Sequence, residues 1–230
     1  MKTFLKMEGK MKLSELRTVG IHLIGFLFLS LLFSCGKKEY PKDNVVESEL
    51  RSFRKVLKET IHGPMSDSLI LQTFESYTLD LLNKWERNAP QEVKTKIEIL
   101  HKGELISSAD AATDLSEMGA YAKGACMALM NTLGNAYLIR HGDIQRLFGA
   151  KDFTAGENAV EAFCAIGEPA FPALILSLYL PFDDPEKIFV EYRKTNANIT
   201  LQKLSGKDFP YDPLKWITWY TTTQDKIAKK

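Results

Sequence analysis

The sequence predicts an all-α protein in which helical hairpins stack side by side after an N-terminal helical region. Three observations predict it. Apolar residues recur at i, i+3, i+4 and i+7 along almost the whole chain beyond residue 45, the period of a helix with one buried face. No run of alternating apolar and polar residues is long enough to argue for a strand. The C-terminal half also echoes itself: Ala112-x-x-Leu115-x-x-Met118-Gly119-Ala120-Tyr121-Ala122 is matched by Val160-x-x-Phe163-x-x-Ile166-Gly167-Glu168-Pro169-Ala170, with the glycines 48 residues apart.

The elements follow in order. Val46, Leu50, Phe53 and Leu57 line a first helix, which Gly63-Pro64 stops. Ser66 or Asp67 can cap a second helix, along which Ile70, Phe74, Tyr77, Leu81 and Trp85 form the expected buried stripe. Asn88-Ala89-Pro90 breaks the chain, with Pro90 suited to a first helical position. Val93, Ile97 and Leu100 then line a shorter helix that ends near Gly103.

The echo describes a helix, a sharp turn and a second helix. Each first helix ends at Gly119 or Gly167, where a left-handed C′ residue is free of strain only as glycine. Pro169 starts the second helix, where its missing N–H costs nothing, and Pro172 is tolerable within the first turn. Phe171, Leu174, Ile175 and Leu178 form that helix's apolar stripe. Two helices joined by a three-residue turn cannot bury both faces alone and must stack on neighbours. A second echo sets Leu147-Phe148-Gly149-Ala150-Lys151-Asp152-Phe153 against Leu204-Ser205-Gly206-Lys207-Asp208-Phe209, 57 residues apart, so the period is irregular. Near the end, Asp212 can cap a helix whose first residue is Pro213. Trp216 and Trp219 share one face of it. A stack of hairpins needs its open apolar end covered, and two indoles can do that; an aromatic platform for a sugar or a partner is the other reading.

These residues carry a family resemblance. Gly167-Glu168-Pro169-Ala170-Phe171-Pro172-Ala173-Leu174-Ile175 resembles the inter-helix turn and second helix of a HEAT-type repeat. Leu204 to Trp219 resembles the segment that closes many bacterial HEAT-like proteins, with Pro210 where a glycine is usual before the tyrosine. The resemblance covers about residues 107–220. It implies an α-solenoid whose general activity is binding other proteins.

The N-terminus carries a different signal. An apolar run of about 15 residues, Val19 to Phe33, follows Lys2, Lys6, Lys10, Lys12 and Arg17. It has the length of a signal-peptide core and falls short of the roughly 20 residues that cross a bilayer. Starting at Met11 leaves a compact signal of ordinary length, and that start is the expected one. The run ends in Leu32-Phe33-Ser34-Cys35, followed by Gly36-Lys37-Lys38. Leu32 at −3 does not suit ordinary signal peptidase, which wants small residues at −1 and −3. The tetrapeptide resembles the lipobox of bacterial lipoproteins. Phe33 departs from the small or β-branched residue usual at that place, where spirochaete-type lipoboxes are looser. The resemblance implies cleavage between Ser34 and Cys35, a diacylglyceryl thioether on Cys35 and a fatty-acylated amine, hence membrane attachment. Each buried CH₂ contributes about 0.8 kcal/mol, so two or three chains anchor durably. An uncleaved membrane helix and a core helix with a chance cysteine are the alternatives.

Removing residues 1–34 takes away five of the 30 Lys and Arg and two of the 29 Asp and Glu, leaving 196 residues with a formal net charge of −2. That balance provides no electrostatic footprint for nucleic acid. The chain then divides into a signal (1–34), a linker (35–44), an N-terminal helical region (45–103), a HEAT-like repeat region (104–222) and a polar tail (223–230). Gly36 stands where an aspartate can signal inner-membrane retention in enteric bacteria, which points to the outer membrane and leaves its two sides open.

Chemistry is sparse. Cys126 and Cys164 lie in apolar helical stretches, where free cysteine acts as a small hydrophobe, although an exported location permits a disulfide. Of four histidines, His22 lies in the signal, His62 and His101 near helix ends, and His141 beside Gly142-Asp143, a weak metal-ligand pair. Asp183, Asp184 and Glu186 precede a helix and read as complements to its dipole. Asn198-Ile199-Thr200 matches a glycosylation acceptor by accident. No GxSxG, HExxH, GxGxxG or Walker-type loop is present, and no cofactor or metal is expected. The expected function is a lipid-anchored, non-catalytic protein-interaction scaffold. A structural, self-associating lipoprotein is the alternative, and an enzyme has the least support.

Overall fold

The computed structural model describes residue 40 and residues 44–61, 65–139, 153–181 and 187–222. Ser34 and Cys35, His22, His62, His141, Gly63-Pro64, Leu147 to Asp152, Asp183-Asp184, Glu186 and the tail from 223 lie outside the described residues. The fold is all-α. Among the described residues the helices are α1 (Asn44–Ile61), α2 (Asp67–Arg87), α3 (Gln91–Lys102), α4 (Leu105–Met118), α5 (Cys126–Thr132), α6 (Ala155–Ile166), α7 (Phe171–Leu176), α8 (Lys187–Ser205) and α9 (Pro213–Thr222). Two-residue segments β1 (Leu138–Ile139) and β2 (Phe153–Thr154) pair antiparallel, Leu138 opposite Thr154.

Local signals place most boundaries. The Ser66 side chain accepts the Leu69 N–H at the head of α2. Gly103 closes α3 in the left-handed region, φ 69° and ψ 12°. Thr154 and Glu157 form a reciprocal capping box at the head of α6, satisfying two otherwise orphaned N–H groups. Pro90 sits one residue earlier than expected, at the cap of α3 rather than inside its first turn.

The echoed segments fold as two hairpins. In the first, α4 passes through a 3₁₀ turn, Gly119–Ala125, into α5; in the second, α6 passes through Glu168–Ala170 into α7. Corresponding positions are buried in both: Ala112 and Val160, Leu115 and Phe163, Met118 and Ile166, Ala122 and Ala170. The turn glycines also match, at φ 57°, ψ −138° for Gly119 and φ 78°, ψ −134° for Gly167. This corrects the expected left-handed cap. The residues sit in the mirror image of the β region, which is open to glycine and strained for any residue with a Cβ. The first turn is longer than the three residues expected, and Pro169 lies in the 3₁₀ turn instead of starting α7.

The hairpins pack helix to helix, α4 along α6 and α5 against α7, with α3 continuing the first row beyond α4 and α8 beyond α6. In a one-dimensional repeat stack each unit touches only its neighbours. Here α9 packs on α7, α2 and α1, and α2 reaches α7, so the last of the described helices returns to the first of them. One apolar core runs from Val46 through Trp85 and Leu129 to Tyr220, crossing the expected division at residue 103 without interruption.

The face of α2 differs from expectation. Phe74, Thr78, Leu82 and Trp85 are buried, while Tyr77 is 40% exposed. Helix α2 is contacted by α1, α5, α7 and α9, so these neighbours set which side turns inward. Threonine 78 is carried into the core and tyrosine 77 out of it.

Gly167→Ala is expected to destabilise the protein by about 1–3 kcal/mol in chemical denaturation. A Cβ there meets nothing within 4 Å, so the loss is conformational alone. A change within about 0.5 kcal/mol, the size of ordinary surface substitutions, counts against a required positive φ at this turn.

Candidate interaction surface

Helices α1 and α2 leave a groove of about 390 Å³ between them. On α1 its wall is Ser48, Glu49, Ser52 and Val56; on α2 it is Tyr77, Asp80, Leu81 and Lys84, spaced at i, i+3, i+4 and i+7. Phe53, packed edge-on against Phe74 with ring centroids 6.3 Å apart, forms part of the floor. Val56 is 38% exposed, like Tyr77, so two large apolar side chains face solvent from adjoining helices. The Asp80 carboxylate is exposed beside them.

One end of the groove is fixed by charge. The Glu49 carboxylate accepts hydrogen bonds from Lys84 Nζ at 2.7 Å and from Trp85 Nε1 at 2.8 Å, and Lys123 Nζ lies 3.9 Å away. Burial pushes the Glu49 carboxyl up. The hydrogen bonds from Lys84 and Trp85, with the charges of Lys84 and Lys123, outweigh burial and hold it below the usual carboxylate range. Lys123 also stands 5.7 Å from the centroid of the Trp85 ring. The 3₁₀ turn carrying Lys123 comes this close only because residue 124 is glycine: a Cβ there would lie 2.6 Å from Ala89 Cβ and 2.9 Å from the Trp85 carbonyl.

A second hollow, about 450 Å³, lies between α2 and α3. Its rim is Glu86, Arg87, Lys94, Glu98 and His101, mixed in sign, around the buried Ile97. His101, in the last turn of α3, has Nε2 3.7 Å from Glu86 Oε1. With no exposed apolar wall, this hollow reads as a solvated face.

The closing residues cap the last described helix and fill the core beneath it. Asp212 Oδ1 accepts the Lys215 N–H at 3.0 Å, directly before α9 begins at Pro213. That backbone hydrogen bond, with the nearby Lys215 ammonium, holds the Asp212 carboxyl below its ordinary range. Trp216 is fully buried between Phe209 and Trp219, at 5.0 and 5.8 Å between centroids, so its ring is no surface platform. Trp219 is partly buried and packs on Phe171 at 5.4 Å. Cys126 and Cys164 are free; burial raises both thiols, and Cys126 is wholly enclosed. Asn198 is 5% exposed within α8, which closes it to glycosylation. Among the described residues no group of three or more His, Cys, Asp or Glu could hold a metal ion, and no helix is long and apolar enough to cross a membrane.

Two buried cations escape the sequence reading. Arg54, 5% exposed, pairs with Glu168 of the second hairpin turn and lies 5.6 Å from the Tyr220 ring centroid. Burial raises the Tyr220 hydroxyl far above its ordinary range, and the Arg54 charge lowers it only in part. Arg193 on α8, 2% exposed, donates from Nε to the Met130 carbonyl at 3.2 Å. The signal for Arg54 is its spacing: Leu50, Arg54 and Leu57 share one helix face.

No known protein family, curated protein or solved structure matches this chain.

Two outcomes follow from these charges. Glu168→Ala is expected to cost about 3–5 kcal/mol in urea denaturation, because Arg54 is left buried and unpaired, and Arg54→Met with Glu168→Ala should cost clearly less. Glu49→Gln should cost about 1–2 kcal/mol at neutral pH. A carboxyl held low in the folded state stabilises fully above its ordinary value of 4.5 and loses that contribution as pH falls through the folded value. The gap between wild type and Glu49→Gln should therefore close as pH drops below about 4.5, and a gap independent of pH would sink this account.

Proposed function

We propose that this protein is a membrane-anchored lipoprotein that serves as a non-catalytic, protein-binding scaffold in the bacterial envelope. The binding reading is carried by the α1–α2 groove, where Val56 and Tyr77 face solvent together although both belong to helices whose other faces are buried. Exposed apolar clusters rimmed by polar groups are the usual form of a protein-binding surface. The anchor reading rests on Leu32-Phe33-Ser34-Cys35 and the short apolar run before it. The paired hairpins, with their matching turn glycines, support a HEAT-like origin for the segment from α4 to α7.

The intact mass of the native protein tests the anchor. Residues 35–230 plus acyl chains is the expected species; an unmodified chain retaining residues 1–34 overturns it. The groove is tested by affinity capture from envelope extract with wild type and with Val56→Asp/Tyr77→Ala. Loss of two central apolar contacts should weaken retention of a specific partner about tenfold or more, with unfolding temperature little changed. Equal retention by both proteins removes the groove from the binding reading, and a large homo-oligomer in sizing chromatography favours the self-associating alternative.

A further inference from the structure

The point where the chain joins the folded unit is pinned. Tyr40 donates its hydroxyl to Glu92 Oε1 at 3.2 Å, and its ring lies against Tyr121 with centroids 5.1 Å apart and planes tilted by 32°. Glu92 is in the first turn of α3 and Tyr121 in the 3₁₀ turn of the first hairpin, so Tyr40 is fixed to two elements at once. It also packs on the main apolar core. Cys35 is five residues upstream. Five residues span at most about 18 Å when fully extended. A folded unit of the length of Tyr40–Lys230 has a radius of gyration of about 16 Å, which corresponds to a body about 40 Å across. If Cys35 is held at the lipid surface, Tyr40 cannot be on the far side of that body.

We propose that the face formed by Tyr40, Tyr121 and the amino end of α3 lies against the lipid headgroups, held there by a tether shorter than the body it carries. The inference rests on the lipid-anchor reading. It goes further by assigning which face meets the membrane. The chemistry of the face agrees: Tyr40 and Tyr121 are both partly buried, each with an apolar ring and a polar tip, and tyrosine is enriched at the level where hydrocarbon meets headgroup. Lys96 of α3, one turn after Glu92, is paired with Asp114. Close to Tyr40 the face thus carries both signs of charge, the Glu92 carboxylate and the Lys96–Asp114 pair.

The test uses full-length acylated protein in phosphatidylethanolamine–phosphatidylglycerol vesicles carrying a small fraction of lipid with a headgroup-level diazirine. After photolysis, labelled peptides are mapped by mass spectrometry. Peptides containing Tyr40, Gln91 to Lys94 and Tyr121 should carry several-fold more label than the mean of other exposed peptides. Inserting 20 Gly/Ser residues between Lys38 and Glu39 raises the fully extended reach to about 80–90 Å, well past the width of the body, and the preference should then fall toward that mean. Uniform labelling of acylated protein overturns the assigned face and leaves the anchor standing. A preference that survives the insertion overturns the short tether as its cause. A protein lacking the acyl mass overturns the anchor reading and this inference together.

Discussion

The carboxyl end of α5 is the constraint around which the C-terminal half is arranged. This helix is only seven residues long and ends inside the protein, with Leu133 and Gly134 both buried. The Asn131 and Thr132 carbonyls accept the N–H groups of Gly134 and Asn135, but those of Met130 and Leu133 have no continuing helix to bond. Helix α8 supplies the donors. Arg193 Nε bonds the Met130 carbonyl, and Asn196 Nδ2 bonds the Leu133 carbonyl at 3.0 Å. The guanidinium also brings positive charge to the negative end of the helix dipole. One turn before Asn196, the hydroxyls of Tyr192 and Thr154 share a hydrogen bond at 3.0 Å, joining α8 to the capping box of α6. A single polar seam on α8 thus finishes two helices of the paired hairpins.

A second set of contacts joins α1 to α9, near the two ends of the described residues. Tyr220 stacks on Phe171 at 5.6 Å, lies 6.4 Å from Phe53 and receives the Arg54 guanidinium. Arg54 in turn pairs with Glu168, directly beside the turn glycine Gly167. Helix α1, the second hairpin and α9 meet in one knot of aromatic rings around a compensated charge. Removing either partner of a buried ion pair is far more damaging than replacing both by apolar groups. The knot therefore couples the amino and carboxyl ends of the unit through its least tolerant interaction.

The helical class, the hairpin echo and the cap at Asp212 were legible because they depend on local chemistry. Glycine before a turn, aspartate before proline and apolar residues at helical spacing act over a few residues, and they place the helices, the two turns and the cap, although the glycines take the mirror-β conformation rather than the left-handed one. The face of α2 was not legible. Its orientation is decided by α5, α7 and α9, distant in the chain, and they select Thr78 over Tyr77. The same holds for α8, whose core face sets Arg193, Asn196 and Thr200 among Phe189, Ala197 and Leu201 and so breaks the apolar stripe. Its polar residues look solvated until the carbonyls they serve are known. The candidate groove was hidden for the related reason that Tyr77 fits a core pattern in sequence and reaches solvent only in three dimensions. One further signal at the head of α6 is local: Thr154-Ala155-Gly156-Glu157 is a capping-box signature.

The return of α9 to α1 bears on how such a chain acquires its structure. A linear array of repeats can begin folding anywhere and extend outward, each unit complete once its neighbour arrives. Here the surface of α1 that carries Phe53 and Arg54 is finished by residues near the opposite terminus. Contacts of such wide sequence separation are costly to form early, because a long loop must close before they repay anything. A polypeptide emerging amino end first stays incomplete until its final helix is free.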